Sequence, residues 1–245
     1  MHADDVPVGR LLTRREALGV LGVSGVALIG GRAWRSSSAA APVPPAPACV
    51  VRPEQTEGPY FVGERLDRSD VRSDPGTGAV KDGVPLALGI AVSRLAGGAC
   101  APLAGALVDI WHCDALGVYS DVQDPGFTTV GQRFLRGYQV TDAAGTVRFR
   151  TIYPGWYEGR TVHVHFKIRT EPAAARGFAF TSQLYFDDAL TTRVHQRAPY
   201  ASKGHRRDRN EDDRFFRRGG DQLLLSPTAA GEGYAATFAV GLQLP

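Results

Sequence analysis

Two histidines stand two residues apart in Val162-His163-Val164-His165-Phe166-Lys167-Ile168, a run rich in β-branched and aromatic residues. Successive side chains of a strand point to opposite faces, so both imidazoles project from one side while Val164 and Phe166 turn to the core. Two convergent imidazoles are half of a metal site. No acidic pair lies near them in the sequence, and the positions three and four after His165 are Ile168 and Arg169, which cannot complete a carboxylate site. Two tyrosines stand closer to the purpose. Tyr157 precedes His163 by six positions in the Pro/Gly-rich loop Tyr153-Pro154-Gly155-Trp156-Tyr157-Glu158-Gly159-Arg160, and Tyr119 ends the run Trp111-His112-Cys113-Asp114-Ala115-Leu116-Gly117-Val118-Tyr119. Singly, each is an ordinary loop tyrosine; with His163 and His165 they offer two phenolates and two imidazoles. Ferric iron is a hard, highly charged acid that prefers anionic oxygen and keeps a coordinated phenol ionised. Two tyrosinates and one hydroxide balance its three charges without buried carboxylates. Zinc more often recruits thiolate, imidazole or carboxylate, and ferrous oxygenases pair two histidines with a carboxylate. The set Tyr119, Tyr157, His163 and His165 therefore points to a non-haem Fe(III) centre.

The elements around these residues read as strands. Leu86–Val92, Ala106–Trp111, Thr146–Arg150, Val162–Ile168, Phe178–Phe186 and Ala235–Leu244 are short, β-branched or aromatic, and several alternate in polarity. Turn signals separate them at Ala96-Gly97-Gly98, Asp142-Ala143-Ala144-Gly145 and Tyr153-Pro154-Gly155. The second of these predicts a hairpin joining Tyr138-Gln139-Val140 to Val147-Arg148-Phe149. Six or more strands without intervening crossover helices predict an all-β, antiparallel sandwich with long loops. Helix is scarce, with Leu190–His195 the best short segment.

Composition is that of a globular chain with one substantial core, at 245 residues and 43% hydrophobic. Lys+Arg of 28 against Asp+Glu of 25 leaves only +3, so nucleic acid is not an expected partner. Part of that excess belongs to the first 41 residues. Thr13-Arg14-Arg15-Glu16-Ala17-Leu18 is followed by an uncharged 15-residue stretch, Ala17–Gly31, and then by the small-residue run Ser36–Ala41. A basic start, an apolar region and an Ala-rich site predict a removable export signal of the twin-arginine type over 1–41. The apolar stretch is shorter than the ~20 residues a spanning helix needs, so no membrane span is expected after its removal. Without it the chain carries 23 basic against 22 acidic residues. The run PVPPAP at 42–47 is stiff and extended, so 42–55 is expected to be a linker and N-terminal extension before one domain over 56–245. Three cysteines, Cys49, Cys100 and Cys113, allow one disulfide outside the cytoplasm, and the sequence leaves open which pair forms it.

Five runs carry a family resemblance: Thr56-Glu57-Gly58-Pro59-Tyr60, Asp109–Ser120, Phe149–Tyr157, His163-Val164-His165 and Gln183-Leu184-Tyr185-Phe186. In this order they resemble the intradiol ring-cleavage dioxygenases, the family of catechol and protocatechuate 3,4-dioxygenases, and with its leader the sequence is most similar to exported members. The resemblance implies iron held by Tyr119, Tyr157, His163 and His165, with Tyr157 the axial tyrosinate that leaves when substrate binds and His165 the axial imidazole. Arg160 matches the family's arginine that stabilises negative charge on the substrate ring, and Gln183 its second-sphere glutamine. His163 follows Tyr157 more closely than in the cytosolic members, which removes wall residues that would help to name the substrate. The implied reaction is cleavage of a catechol-type diol by O2 to a cis,cis-muconate-type diacid, and the resemblance also implies self-association.

Other residues are assigned structural parts. His112 is expected to be a satisfied structural histidine, His195 and His205 surface histidines, and Asp114 and Asp121 residues that shape the Tyr119 loop. The run Lys203–Arg218, with charges of both signs around Phe215-Phe216, is expected to be a solvated loop pinned by two aromatics. A substrate-substituent pocket is expected around Thr56–Tyr60, Trp156 and residues 187–200. The rival reading is a secreted, non-catalytic β-sandwich module in which the tyrosines and Trp156 form an aromatic platform for a polyphenol or carbohydrate.

Overall fold

The computed structural model describes residues 49–63, 65–170 and 177–244. The leader and the PVPPAP run lie outside the described residues. Eleven strands are present among them: β1 (Pro85–Ala96), β2 (Ala99–Pro102), β3 (Leu107–Trp111), β4 (Gln123–Asp124), β5 (Phe127–Thr128), β6 (Arg136–Val140), β7 (Thr146–Ile152), β8 (His163–Arg169), β9 (Ala179–Tyr185), β10 (Thr228–Ala230) and β11 (Gly233–Gln243). One α-helix, α1 (Asp188–His195), follows β9. Asp187 caps it, its carboxylate accepting the Leu190 amide.

Two sheets face each other. The first runs β10-β11-β1-β2, with β7 also paired to β1; the second runs β6-β3-β8-β9 and is antiparallel throughout. Alternation does the sorting: Leu86, Leu88, Ile90 and Val92 of β1 point inward, as do Val108 and Ile110 of β3 and Val164, Phe166 and Ile168 of β8. The same alternation puts His163 and His165 on the opposite face of β8, as expected from sequence.

Two expectations change. The sandwich is not antiparallel throughout, because β1 and β11 run parallel from Leu86↔Tyr234 to Leu95↔Gln243. The chain leaves β9 of the second sheet, returns to the first at β10 by the long stretch 186–227 and turns directly into β11, so β1 and β11 are joined by no tight turn and can lie parallel. The turn Asp142–Gly145 forms, with Asp142 accepting the Ala144 and Thr146 amides. It joins no hairpin, since β6 pairs with β3 and β7 with β1, so the turn carries the chain from one sheet to the other. Residues 49–55 are fastened to the domain. Cys49 is disulfide-bonded to Cys100 of β2, the Gln55 amide donates to Thr181 O at 2.9 Å, and Gly241 N donates to Val50 O at 2.7 Å. Among the described residues, no helix is long and apolar enough to cross a membrane.

Candidate active site and metal centre

Strand register sets the floor of the site. His165 pairs across β8–β9 with Gln183 and across β8–β3 with Trp111, while His163 pairs with Tyr185. All five side chains are buried. The two tyrosines come from separate loops that are locked together. Gly155 N donates to Asp114 O at 3.1 Å, and a Cβ on Gly155 would lie 2.4 Å from that oxygen, so only glycine allows this approach. Lys203 Nζ ties the same loops, donating to Trp156 O at 2.6 Å and to Leu116 O. Asp114 accepts the Leu116 and Val118 amides, and Asp121 accepts the Gly131 amide, so both acids shape the Tyr119 loop as expected.

Four donor atoms converge as a result. Tyr157 Oη lies 3.2 Å, Tyr119 Oη 3.4 Å and His165 Nε2 3.0 Å from His163 Nε2. His163 Nδ1–H donates to Thr161 O at 2.6 Å, which leaves a lone pair on its Nε2. Two phenols and a second imidazole thus crowd one acceptor, and His165 Nδ1 is buried with no hydrogen-bond partner. Protein hydrogen bonds alone do not satisfy this cluster.

Burial pushes the Tyr119 hydroxyl well above the usual phenol range, with Tyr157 adding to it. The Tyr157 hydroxyl is pushed up to about 12, chiefly by burial and against the pull of Arg160. Burial, reinforced by Arg160, holds both His163 and His165 well below the usual imidazole range. The imidazoles are therefore neutral and available as ligands, and the phenols would ionise only against a strong Lewis acid. No group of three or more His, Cys, Asp or Glu gathers among the described residues, so a metal held here must draw on phenol oxygen. The donor set of Tyr119, Tyr157, His163 and His165 fits a hard, trivalent cation.

Arg160 and Gln183 meet beside this cluster. Arg160 Nη2 donates to Gln183 Oε1, Gln183 Nε2 donates to Thr56 O at 3.1 Å, and Arg160 Nε donates to Asp213 at 2.8 Å. Burial works against the Arg160 charge, but Tyr157 and Asp213 outweigh it and raise its pKa.

Sequence reasoning missed several partners. Asp213 lies in the run read as a solvated loop, yet it is buried, as is Asn210, whose side chain binds Thr161 at 2.7 Å. Mixed charge in sequence does not distinguish a solvated run from one with two members turned inward. Tyr60 stacks on Tyr119 with ring centroids 4.4 Å apart and donates to Asp124 at 2.7 Å. His195 is not a surface residue: Tyr200 stacks on it, its Nε2–H donates to Pro154 O at 3.0 Å, and it supports the Tyr157 loop from below. Of the residues expected to line the pocket, Tyr60 packs against both tyrosines, and Lys203 Nζ lies over the Trp156 ring. His112 is structural as expected, Nδ1–H donating to Cys113 O at 2.8 Å and Nε2 accepting from Thr151 at 2.7 Å.

Residues 56–192, more than half of the chain, match the family model described as Dioxygenase. The fold is similar to that of the intradiol ring-cleavage dioxygenase from Tetranychus urticae, at 30% identity and a TM-score of 0.69, covering 80% of this chain and 95% of that one. In sequence it is 34% identical over 104 residues to a chlorocatechol 1,2-dioxygenase of Pseudomonas putida, covering 35% of this chain and 36% of that protein. It is also 31% identical over 162 residues to a protocatechuate 3,4-dioxygenase beta chain of Burkholderia cepacia, covering 62% of this chain and 67% of that one. The match thus spans little more than a third of the chlorocatechol enzyme's length. The chain belongs to the intradiol ring-cleavage dioxygenase family.

Proposed function

We propose that this chain is a non-haem Fe(III)-dependent dioxygenase that opens the ring of a catechol-type diol between its two hydroxyl-bearing carbons, giving a cis,cis-muconate-type dicarboxylate. The observation that carries this reading is the meeting of two phenol oxygens and two imidazole nitrogens in a buried cluster with no carboxylate among its ligands. Tyr119, Tyr157, His163 and His165 would hold the metal, which when bound would ionise the phenols and activate a chelated diol toward O2.

The chain's own residues divide the remaining work. Tyr157, once ionised by the bound metal, would accept a proton from the incoming diol at Oη, its loop position leaving it the less enclosed of the two tyrosines. Thr161 O holds His163 in the tautomer whose Nε2 is free to bind. Arg160 offers a fixed cation to an anionic ring, and Gln183 keeps its guanidinium in the site. Trp111, Tyr60 and Phe61 line the same cluster and limit the entry of water.

The platform reading finds less support. Tyr119 is fully buried under Tyr60 and so presents no open face to a polyphenol or sugar, and Lys203 Nζ already lies over one face of the half-buried Trp156 ring. Export by the leader at 1–41 belongs to the same proposal and is supported by the Cys49–Cys100 disulfide, a bond typical of oxidising compartments.

The test is O2 uptake with catechol, protocatechuate, hydroxyquinol and lignin-derived catechols, followed by product analysis. A muconate-type diacid from at least one of them is expected. A yellow semialdehyde, or no uptake by the iron-loaded protein, would overturn the reading.

A further inference from the structure

The charged run at 203–218 contributes one side chain with no exposure to solvent, that of Asp213. An ion in such a place is tolerated only when it is paired and its remaining lone pairs are filled. Asp213 meets this condition with four N–H donors. Oδ1 accepts the Phe215 amide at 2.7 Å and the Phe216 amide at 3.2 Å, which closes its own turn. Oδ2 accepts Arg160 Nε at 2.8 Å and the Thr161 amide at 2.9 Å. The first oxygen serves the loop; the second is taken up entirely by the turn that leads into the histidine strand.

This division determines where Arg160 can point. A guanidinium is a rigid planar fork, so fixing Nε also fixes the direction of both terminal nitrogens. Nη2 then reaches Gln183 Oε1, and Phe215, two residues from Asp213, lies against the guanidinium with its ring centroid 4.5 Å from Cζ. The Thr161 amide holds the backbone of the same turn, so neither the side chain nor its anchor is left to rotate. We propose that Asp213 is a positioning residue for the ring-cleavage site, acting through Arg160 by holding its guanidinium toward the place where the substrate ring becomes anionic. What Arg160 does there rests on the proposed function; that Asp213 holds it does not.

Asp213→Asn keeps the size of the side chain but not its pattern of acceptors. Its NH2 group must face either the Arg160–Thr161 pair of donors or the Phe215–Phe216 pair. The expected result is a fall in kcat of ~10- to 100-fold with KM changed less than ~3-fold, the size of effect seen when a site loses an oriented donor. In an Arg160→Gln background the same change is expected to cost less than ~3-fold, because a residue that acts through another has nothing left to act on. Equal losses in both backgrounds would overturn the proposal. Should Asp213→Asn fail to fold, Asp213→Glu carries the same cycle, with a ~10-fold loss expected in the Arg160 background alone.

A second readout needs neither metal nor turnover. In the 15N side-chain spectrum of the metal-free protein, an exchange-protected arginine Nε–H is expected that disappears in Arg160→Gln and loses its protection in Asp213→Asn. A resonance that stays protected in Asp213→Asn would overturn the pairing. If the wild-type chain cleaves no catechol, the ring-cleavage function fails by itself, and this comparison still decides whether Asp213 holds Arg160.

Discussion

The imidazole of His165 lies flat against the indole of Trp111, ring centroids 4.9 Å apart and planes within 6°. The two residues are cross-strand partners on β3 and β8, so the pairing is written into the sheet register. Trp111 is buried and its indole nitrogen has no hydrogen-bond partner, which leaves packing against His165 and Phe61 as its visible role.

Trp111→Leu removes the flat surface that sets the plane of the His165 ring, whereas Trp111→Phe keeps an aromatic face there. Outer-shell changes of this kind cost about 10- to 100-fold in metal affinity. Trp111→Leu is therefore expected to weaken ferric iron binding by ~10-fold or more in a chelator competition, with Trp111→Phe within ~3-fold of wild type. Equal affinity in Trp111→Leu would mean that the stack does not orient the ligand.

The disulfide holds the segment that reaches the site. From Cys49 the chain runs to Gln55, whose side chain accepts the Tyr185 hydroxyl at 2.6 Å, and to Thr56, whose carbonyl receives Gln183. Closing a loop with a sequence separation of 51 removes about 4 kcal/mol of unfolded-state entropy on the chain-entropy model. Cys49→Ser with Cys100→Ser should lower unfolding stability by roughly that amount in denaturant titrations. A double variant as stable as wild type would show that the hydrogen bonds of residues 49–55 suffice without the bond.

Acid should destabilise the fold through two buried histidines that are not among the candidate metal ligands. Burial lowers both His112 and His195 to about 4, against about 6.5 in an unfolded chain. Between those values the unfolded chain binds protons that the folded one refuses, so stability is fully present above about pH 6.5 and falls as the pH drops toward 4. Denaturant midpoints taken from pH 7 to pH 4.5 should show this loss, and His195→Gln should make the slope shallower by about one proton. A slope unchanged by His195→Gln would place the proton uptake elsewhere.

The sequence was most legible where chemistry and strand alternation coincide. His163 and His165 share a face of β8 because alternation leaves no other choice, and Val164 and Phe166 enter the core for the same reason. Tyr119 and Tyr157 were identifiable as residue types, but the glycine contact at Gly155 that brings their loops together is a tertiary fact. Asp213 was illegible because a charge turned inward by distant Arg160 looks, in sequence, like its solvated neighbours Asp212 and Arg214. The parallel β1–β11 pair escaped for a similar reason, since strand patterns carry no direction and two strands so far apart in sequence can pair in either sense.

The central claim, a ferric ion held by two tyrosinates and two imidazoles, is tested most directly by the metal content and visible spectrum of the purified protein. Protein from iron-replete cells should hold about one iron per chain and be wine-red from tyrosinate-to-Fe(III) charge transfer, a colour expected to bleach in Tyr119→Phe and in Tyr157→Phe. A colourless, iron-free wild-type protein from such cells, or a colour that survives both substitutions, would contradict it.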